Sequence, residues 1–368
     1  MPQLKHIISS LETLAPPYLA ESWDNVGLMI GDRKSDIHKV LVALDVTEKV
    51  VDEAIANNVN LIVSHHPFIF KGLKSIDTAN GTGRSIFKLI QHGISVYSMH
   101  TNYDITYGGL NDYLIKLLGA ENLGVLDVTY EEALYKVKIY TPKTHIDIVR
   151  DTIIKNMNTN IGSYEGCTFT SPGEGTFIPL EGANPYLGTN GVLEKADEVV
   201  ISFMCTKSEY NNIINEVMKV HPYEEIAIDM FKLENMNKKY GLGRVGKLKE
   251  EMSLADFVAK VKKDFNVDYI KTNIEDFSTY KPINKIAVVS GAGSEFISKA
   301  SKYDVYITGD VKYHEMQVAN ERGLCVLDVG HYGSESIALK PIVDCLKTAF
   351  ENLDIQYSQV NSETIFVK

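Results

Sequence analysis

The sequence predicts an α/β protein with a mainly parallel sheet, interrupted by an inserted ferredoxin-like α+β domain. Three observations lead there. Short apolar runs alternate with amphipathic stretches from the start of the chain to about residue 128, the rhythm of parallel strands covered on both faces. Over 129–240 the order changes to β-α-β-β-α-β, the split βαβ arrangement. Over 241–368 the first rhythm returns. The first and last thirds are therefore read as one domain, with the middle third inserted into it.

The first part opens with a helix from about Gln3 to Leu14, stopped before Pro16-Pro17. The run Val40 to Leu44 reads as a buried strand, and Thr47 as the N-cap of a helix reaching about Asn57. Leu61-Ile62-Val63 is the next strand, followed by a helix over Ser85 to His92, a strand over Ile94 to Met99 and a helix over Leu110 to Leu118. In the middle part, strands are expected at Tyr135 to Tyr140, Val199 to Met204 and Ile226 to Leu233. Helices are expected at Thr144 to Asn156 and Glu209 to Lys219, with strands and long loops in the Gly/Ser/Thr/Pro-rich stretch from Gly162 to Gly191. The last part starts a helix at Ser253, where Asp256 stands in for the usual Glu of a capping box. Strands follow at Ile286 to Val289, Val305 to Ile307, Cys325 to Val329 and Ile355 to Tyr357, with helices from about Tyr313 and over Gly333 to Phe350.

Composition narrows the function. Lys+Arg number 37 against 48 Asp+Glu, a formal charge of −11. A duplex-binding surface needs cations to displace the counterions around phosphates, so nucleic acid is a poor partner for this chain. No apolar stretch reaches the roughly 20 residues needed to span a bilayer, and the polar-interrupted N-terminus does not read as a signal peptide. The four cysteines (Cys167, Cys205, Cys325, Cys345) are widely spaced, which argues against a disulfide framework and for a cytoplasmic location.

Polar residues crowd three predicted strand ends. Ser64-His65-His66-Pro67 follows Leu61-Ile62-Val63; His100-Thr101-Asn102-Tyr103-Asp104 follows the strand ending at Met99; Gly330-His331-Tyr332-Gly333-Ser334-Glu335 follows Cys325-Val326-Leu327. Ligands of open α/β sheets bind outside the carboxyl ends of strands. His331 and Glu335 are four apart and share a helix face. Adjacent His65 and His66 face opposite ways on an extended chain and can serve two neighbouring ions. A carboxylate can bridge such a pair, and two ions about 3.5–4 Å apart activate water and clamp a leaving oxygen. Mixed imidazole and carboxylate donors suit Zn, Mn or Fe better than Mg or Ca.

At these residues the sequence resembles the NIF3-like dinuclear metal-centre family, whose members are also named GTP cyclohydrolase 1 type 2 homologues. The resemblance covers nearly the whole chain. It rests on Trp23-Asp24-Asn25-Val26-Gly27-Leu28, Ser64-His65-His66-Pro67, His100 to Asp104, Thr308-Gly309-Asp310 with Tyr313-His314, and Gly330-His331 with Ser334 and Glu335. It implies metal ligands at His65, His66, Asp104, His331 and Glu335. Asp104 and His66 then serve one ion, His65 and His331 the other, and Glu335 bridges. It implies catalytic or proton-transfer roles for His100 and His314. Met29 stands where the family usually has Gln. His221-Pro222-Tyr223-Glu224-Glu225 marks the PII-like insertion of longer members, and the resemblance implies a homohexamer.

The expected function is a metal-dependent hydrolase acting on a nucleotide or phosphorylated small molecule. It would hold two divalent metal ions per chain, Zn first and Fe or Mn as alternatives. The alternative is a non-enzymatic metal-binding or effector-sensing scaffold. Gly241-Leu242-Gly243-Arg244-Val245-Gly246 matches GxGxxG but lacks the strand–turn–helix context of a dinucleotide site. It reads as a mobile loop returning the chain to the first domain, with Arg244 available to a substrate anion. Ser290-Gly291-Ala292-Gly293-Ser294 reads as a tight structural turn, with a phosphate cradle as its alternative. His221 to Glu225 reads as a loop-to-strand junction with solvated carboxylates. His6, His38, His92 and His145 lack convergent partners.

Overall fold

The computed structural model describes residues 1–162 and 164–366. The chain divides into two compact units, Met1–Tyr130 with Tyr240–Lys368, and Glu131–Lys239.

Helix α1 (Leu4–Leu14) buries Leu4, Ile7, Ile8 and Leu11, the i, i+3, i+4, i+7 stripe of a helix lying on a core. Strand β1 (Gly27–Ile30) leads to β2 (Lys39–Ala43), α2 (Glu48–Ala56), β3 (Leu61–Ser64), α3 (Gly81–Gln91) and β4 (Ser95–Ser98). Thr47 caps α2 as expected. The α3 helix starts four residues before the predicted Ser85 because the Asn80 side chain accepts from Gly83 N and caps it. Two short helices, α4 (Thr101–Ile105) and α5 (Leu110–Leu117), close this stretch.

The chain leaves the first unit along β5 (Ala120–Pro142). The second unit continues with α6 (Ile146–Asn156), β6 (Thr168–Phe177), β7 (Glu194–Thr206), α7 (Lys207–Val220) and β8 (Ile228–Met252). The strand order is β6-β7-β5-β8, with β7 antiparallel to both β5 and β6. This is the split βαβ arrangement. The inward faces of α6 and α7 supply Val149, Ile153, Ile213 and Val217 to a core shared with Val137, Ile139, Ile201 and Phe203. A capping box between Thr206 and Glu209 starts α7.

Back in the first unit come α8 (Leu254–Phe265), β9 (Lys271–Thr272), β10 (Ile283–Ala292), α9 (Ile297–Ala300), β11 (Val305–Gly309), α10 (Tyr313–Glu321), β12 (Cys325–Asp328), α11 (His331–Glu335), α12 (Lys340–Ala349) and β13 (Asp354–Tyr357). Ser253 caps α8 through Asp256 N. One sheet has the order β1-β4-β3-β2-β13; β2, β3, β4 and β13 are parallel and β1 is an antiparallel edge. The other runs β8-β10-β11-β12-β9, with β10, β11 and β12 parallel between antiparallel neighbours. Parallel strands β2, β3, β11 and β12 are mostly apolar because both their faces are buried, whereas β13, at the sheet edge, is largely exposed.

The structure corrects the reading of Gly241 to Gly246. The segment is not a loop but part of β8, where Arg244 pairs with Val288 and Val245 with Ala287 of β10. The glycines answer close approach: a Cβ at Gly241 would collide with the Asp127 carbonyl, and Gly243 has φ +68°. Arg244 meets no substrate anion, being 0% exposed. Its guanidinium pairs with Asp112, donates to the carbonyls of Gly241 and Gly243 at 2.9 Å each, and donates to those of Ile105 and Thr106 at 3.1 and 2.7 Å. Tyr107 stacks over it at 5.1 Å. A charge this deep is tolerated because every part of the fork is paired. Arg244→Ala removes the counter-charge of Asp112 and one donor from each of four carbonyls, and is expected to lower unfolding free energy by about 3–5 kcal/mol. Arg244→Lys recovers only part of this, because an ammonium cannot reproduce the fork. Urea unfolding of the two variants checks both.

Candidate metal centre

The parallel register sets which side chains meet. Ala43 pairs with Ser64, and Ser64 with Ser98, so β2, β3 and β4 end level with one another. The backbone stays in register one step further, with His65 N donating to Ala43 O at 3.2 Å and His66 N to Leu44 O at 2.9 Å. Alternation along this extended piece buries the His65 side chain fully and leaves that of His66 at 25% exposure. On the other sheet, Thr308 pairs with Asp328, so Asp310 and His331 leave adjacent strand ends. Asp310 adopts φ +58°, a left-handed conformation that Asp tolerates better than most residues.

Each imidazole is aimed by an oxygen behind it. His65 Nδ1 donates to the Met99 carbonyl at 2.9 Å, His66 Nδ1 to Asp45 Oδ1 at 2.7 Å, His331 Nδ1 to Asp310 Oδ2 at 2.7 Å, and His100 Nδ1 to Asp24 Oδ1 at 2.9 Å. A carbonyl or carboxylate can only accept, so a neutral ring in this arrangement presents Nε2 as a bare lone pair. That is how metal-ligating histidines are oriented.

The Nε2 atoms of His65, His66 and His331 converge on Glu335. His66 Nε2 and His331 Nε2 lie 3.0 and 3.1 Å from Glu335 Oε2 and 3.4 Å from each other. His65 Nε2 lies 3.7 Å from both Glu335 Oε1 and Asp104 Oδ1. His65 Nε2 is buried without a hydrogen-bond partner. Donor atoms about 2.0–2.2 Å from one tetrahedral ion stand about 3.3–3.5 Å apart, so the spacing around Glu335 matches what a cation would set. Ligand-capable atoms of His65, His66 and His100, and of His66, His331 and Glu335, form groups within 4.8 Å. The donor set therefore fits a divalent ion.

The electrostatics agree. Burial works against ionising Glu335, but the His331 and His65 imidazoles outweigh it and hold the carboxyl well below its usual range. Burial pulls His66 down, yet Asp45 and Glu335 raise it to about 10. Glu335 does the same for His331, against burial, lifting it to about 9. Without a cation the cluster holds protons in its place. Asp24, despite burial, is held at about 2 by His100 and Thr101.

The five ligands implied by the resemblance stand in one cluster. His65 faces Asp104 and one Glu335 oxygen, while His66 and His331 face the other. His100 stands beside His65 and His66, with ring centroids 5.3 and 5.6 Å away. His314 stands apart from these groups: it is exposed on α10, and its Nδ1 meets Gln317 Oε1 at 2.9 Å. The Ser290–Ser294 turn is structural. Its amides at Ser290, Gly291 and Gly293 are taken by Asn111 Oδ1, Ser334 Oγ and Thr308 Oγ1, which leaves no cradle for phosphate. A Cβ at Gly291 would collide with Glu335 Oε1, so this glycine is what admits the carboxylate.

The orienting roles of Asp24, Asp45 and Asp310 were not read from the sequence. Asp45 follows the Val40–Leu44 run, a fourth strand end carrying an acid, and the rule that found the histidines applies to it equally.

A family model, Duf34/NIF3 (NGG1p interacting factor 3), matches residues 2–364. A GTP cyclohydrolase 1 type 2 homolog of Halalkalibacterium halodurans is 42% identical over 327 residues, covering 88% of this chain and 87% of that protein. One of Bacillus subtilis is 40% identical over 333 residues, covering 90% and 88%. The crystal structure of a Bacillus cereus protein related to NIF3 superposes with a TM-score of 0.88 at 38% identity, covering 100% of this chain and 99% of that one. By sequence and by fold alike, the chain belongs to the Duf34/NIF3 family.

Proposed function

We propose that this protein is a dinuclear metal-dependent hydrolase acting on a nucleotide or phosphorylated small molecule. The observation that carries the reading is Glu335, a buried carboxylate whose two oxygens face different donors: Oε1 toward His65, Oε2 toward His66 and His331. His65, Asp104 and Glu335 would hold one ion, and His66, His331 and Glu335 the other. Zn suits this mixture of imidazole and carboxylate, with Fe and Mn next. Divalent ions here supply Lewis acidity, which activates water at neutral pH and offsets negative charge on a leaving oxygen.

The protein's own groups do the rest. His65, Asp104 and Glu335 form a buried floor. His66, His100 and His331 are partly open and form the side a substrate reaches. His100, braced by Asp24, is placed to accept or return a proton at its Nε2. Trp23 is 58% exposed and Phe70 44%. The Trp23 ring lies 6.1 Å from Phe70 and 6.2 Å from His100, an aromatic rim suited to a planar base. Lys71 and Lys74, exposed just beyond Phe70 in the chain, supply positive charge for a phosphate. The relatives' name makes GTP the first nucleotide to test.

Elemental analysis of protein purified without chelators is expected to give two divalent ions per chain, falling in His66→Ala and Glu335→Gln with circular dichroism unchanged. Hydrolysis in a nucleotide screen should disappear in His66→Ala; undiminished turnover in that variant sinks the hydrolase reading. Asp45→Ala and Asp310→Ala, which release the rings of His66 and His331, are expected to weaken metal affinity by about 10–100-fold, read by chelator competition.

The protonated rings fix a pH dependence. His66 and His331 are raised from 6.5 to about 10 and about 9. They stabilise the metal-free fold fully below pH 6.5, and that contribution disappears as pH rises through 9–10. Loading the site must expel the same protons, so metal affinity is expected to rise with pH and binding to release protons. Calorimetry in buffers of different ionisation enthalpy measures that release.

Trp23 is the sole tryptophan of the chain. Its fluorescence should be quenched by a bound nucleotide and left unchanged by inorganic phosphate alone.

A further inference from the structure

The second unit contains a cavity of about 650 Å³, lined by several residues between Gly175 and Leu187 around the end of β6, by Tyr140 of β5 and Glu198 of β7, and by Tyr223, Glu224, Glu225, Ala227 and Asp229. Pockets of about 300–1,000 Å³ hold small organic ligands. It takes in most of the His221-Pro222-Tyr223-Glu224-Glu225 motif, which the metal centre leaves unused. His221 serves as a strut: its Nε2 meets the Tyr140 carbonyl at 3.0 Å and its Nδ1 accepts from Tyr223 N at 3.1 Å. Tyr223 is thereby fixed, with its ring 6.2 Å from those of Phe177 and Tyr186.

The charge is one-sided. Glu198, Glu224, Glu225 and Asp229 line the cavity, and none of its lining residues is Lys, Arg or His. Lys143 and Lys195 pair with Asp197 and Glu174 instead. Glu198 accepts the Tyr223 hydroxyl at 2.9 Å and Asp229 the Tyr140 hydroxyl at 2.8 Å. These neutral donors hold the carboxylates in place without cancelling their charge.

Two cations fit such a wall: a metal ion or an organic ammonium. Among the described residues, both groups of three or more acidic, His or Cys ligand atoms within 4.8 Å contain His66, in the first unit. The four carboxylates therefore do not converge as a metal ion requires. They are spread around an aromatic and aliphatic wall that also includes Ile178 and Leu180. Aromatic faces attract an alkylammonium, and dispersed carboxylates add to the field without demanding tight coordination.

We propose that this cavity binds an organic ammonium ion with an apolar body. Phe177, Tyr186 and Tyr223 receive the body and the cation's face, and Glu198 and Asp229 supply the counter-charge. The site is independent of the metal centre.

The test titrates the full-length protein with 2-phenylethylamine and with its neutral analogue 2-phenylethanol, by calorimetry and ligand-observed NMR, with metal content measured alongside. The amine is expected to bind saturably and about tenfold or more tighter than the alcohol. Glu198→Gln should abolish that preference, and Tyr186→Ala, at a position 47% exposed, should weaken the amine with the fold and metal content unchanged. Equal affinity for the two compounds, no saturation by the amine up to about 10 mM, indifference to both substitutions, or displacement of the amine by Mn²⁺ would each overturn the proposal.

Discussion

Glu335 is 3% exposed, and its carboxylate faces the Nε2 atoms of three histidines. An ionised carboxylate at that depth is costly unless cations surround it. The rings that surround it are themselves pinned from behind by Met99 O, Asp45 and Asp310. The cluster cannot relax by turning its nitrogens outward without breaking those bonds. Protons or metal ions must therefore occupy the space between, and the upward shifts of His66 and His331 are the protonated answer to that constraint. A cation replacing the protons satisfies the same carboxylate and removes the repulsion between two imidazolium rings whose Nε2 atoms are 3.4 Å apart.

Much of the fold serves to bring that carboxylate in. His331 and Glu335 sit on the five-residue helix α11, which begins at Gly330 with φ +78°. Gly291, at φ +61°, gives way where a side chain would strike Oε1. The same turn is tied to Ser334 and Asn111, and Asn111 also donates to the Asp104 carbonyl at 3.1 Å. Floor residues from both ends of the chain are thus joined through one turn. Arg244 holds the carbonyls of Ile105 and Thr106 just past Asp104. It is a cation used to fix backbone rather than to bind a ligand.

How much of this was legible in the sequence follows from which interactions are local. Strand ends are legible because buried parallel strands are mostly apolar and their ends are abrupt; the polar clusters holding His65, His66, Asp104, His331 and Glu335 stand out that way, and the resemblance singles out these five within them. Asp45 is legible by the same rule, although it stands alone at its strand end. Asp24 was not legible from pattern: it reaches His100 and Thr101 across 76 and 77 positions, and no periodicity encodes that contact. Arg244 misled because GxGxxG has a loop's composition. Only the neighbouring strand and the Asp127 carbonyl, packed against Gly241, explain why glycine is needed inside β8. The facing of the rings is hidden for a similar reason. Which ring faces which Glu335 oxygen depends on strand alternation and on the register of two sheets.

The net charge of −11 argues against phosphate-backbone partners but says nothing of how the acids are arranged, and the structure shows two arrangements. Around Glu335, acids and imidazoles are drawn to within coordination distance and each ring is backed by an oxygen, so the field is concentrated at points where an ion of fixed radius can sit. In the second unit, Glu198, Glu224, Glu225 and Asp229 stand apart along an aromatic wall, and the field is broad. Concentrated charge with bare lone pairs selects for a metal, because only a small ion can repay the desolvation of so many donors at once. Dispersed charge beside ring faces selects for a larger, softer cation, whose desolvation is cheaper and whose body the wall can cover. A single acidic chain thus arranges its acids in two ways, and the spacing of their oxygens, not their charge, sets the two apart.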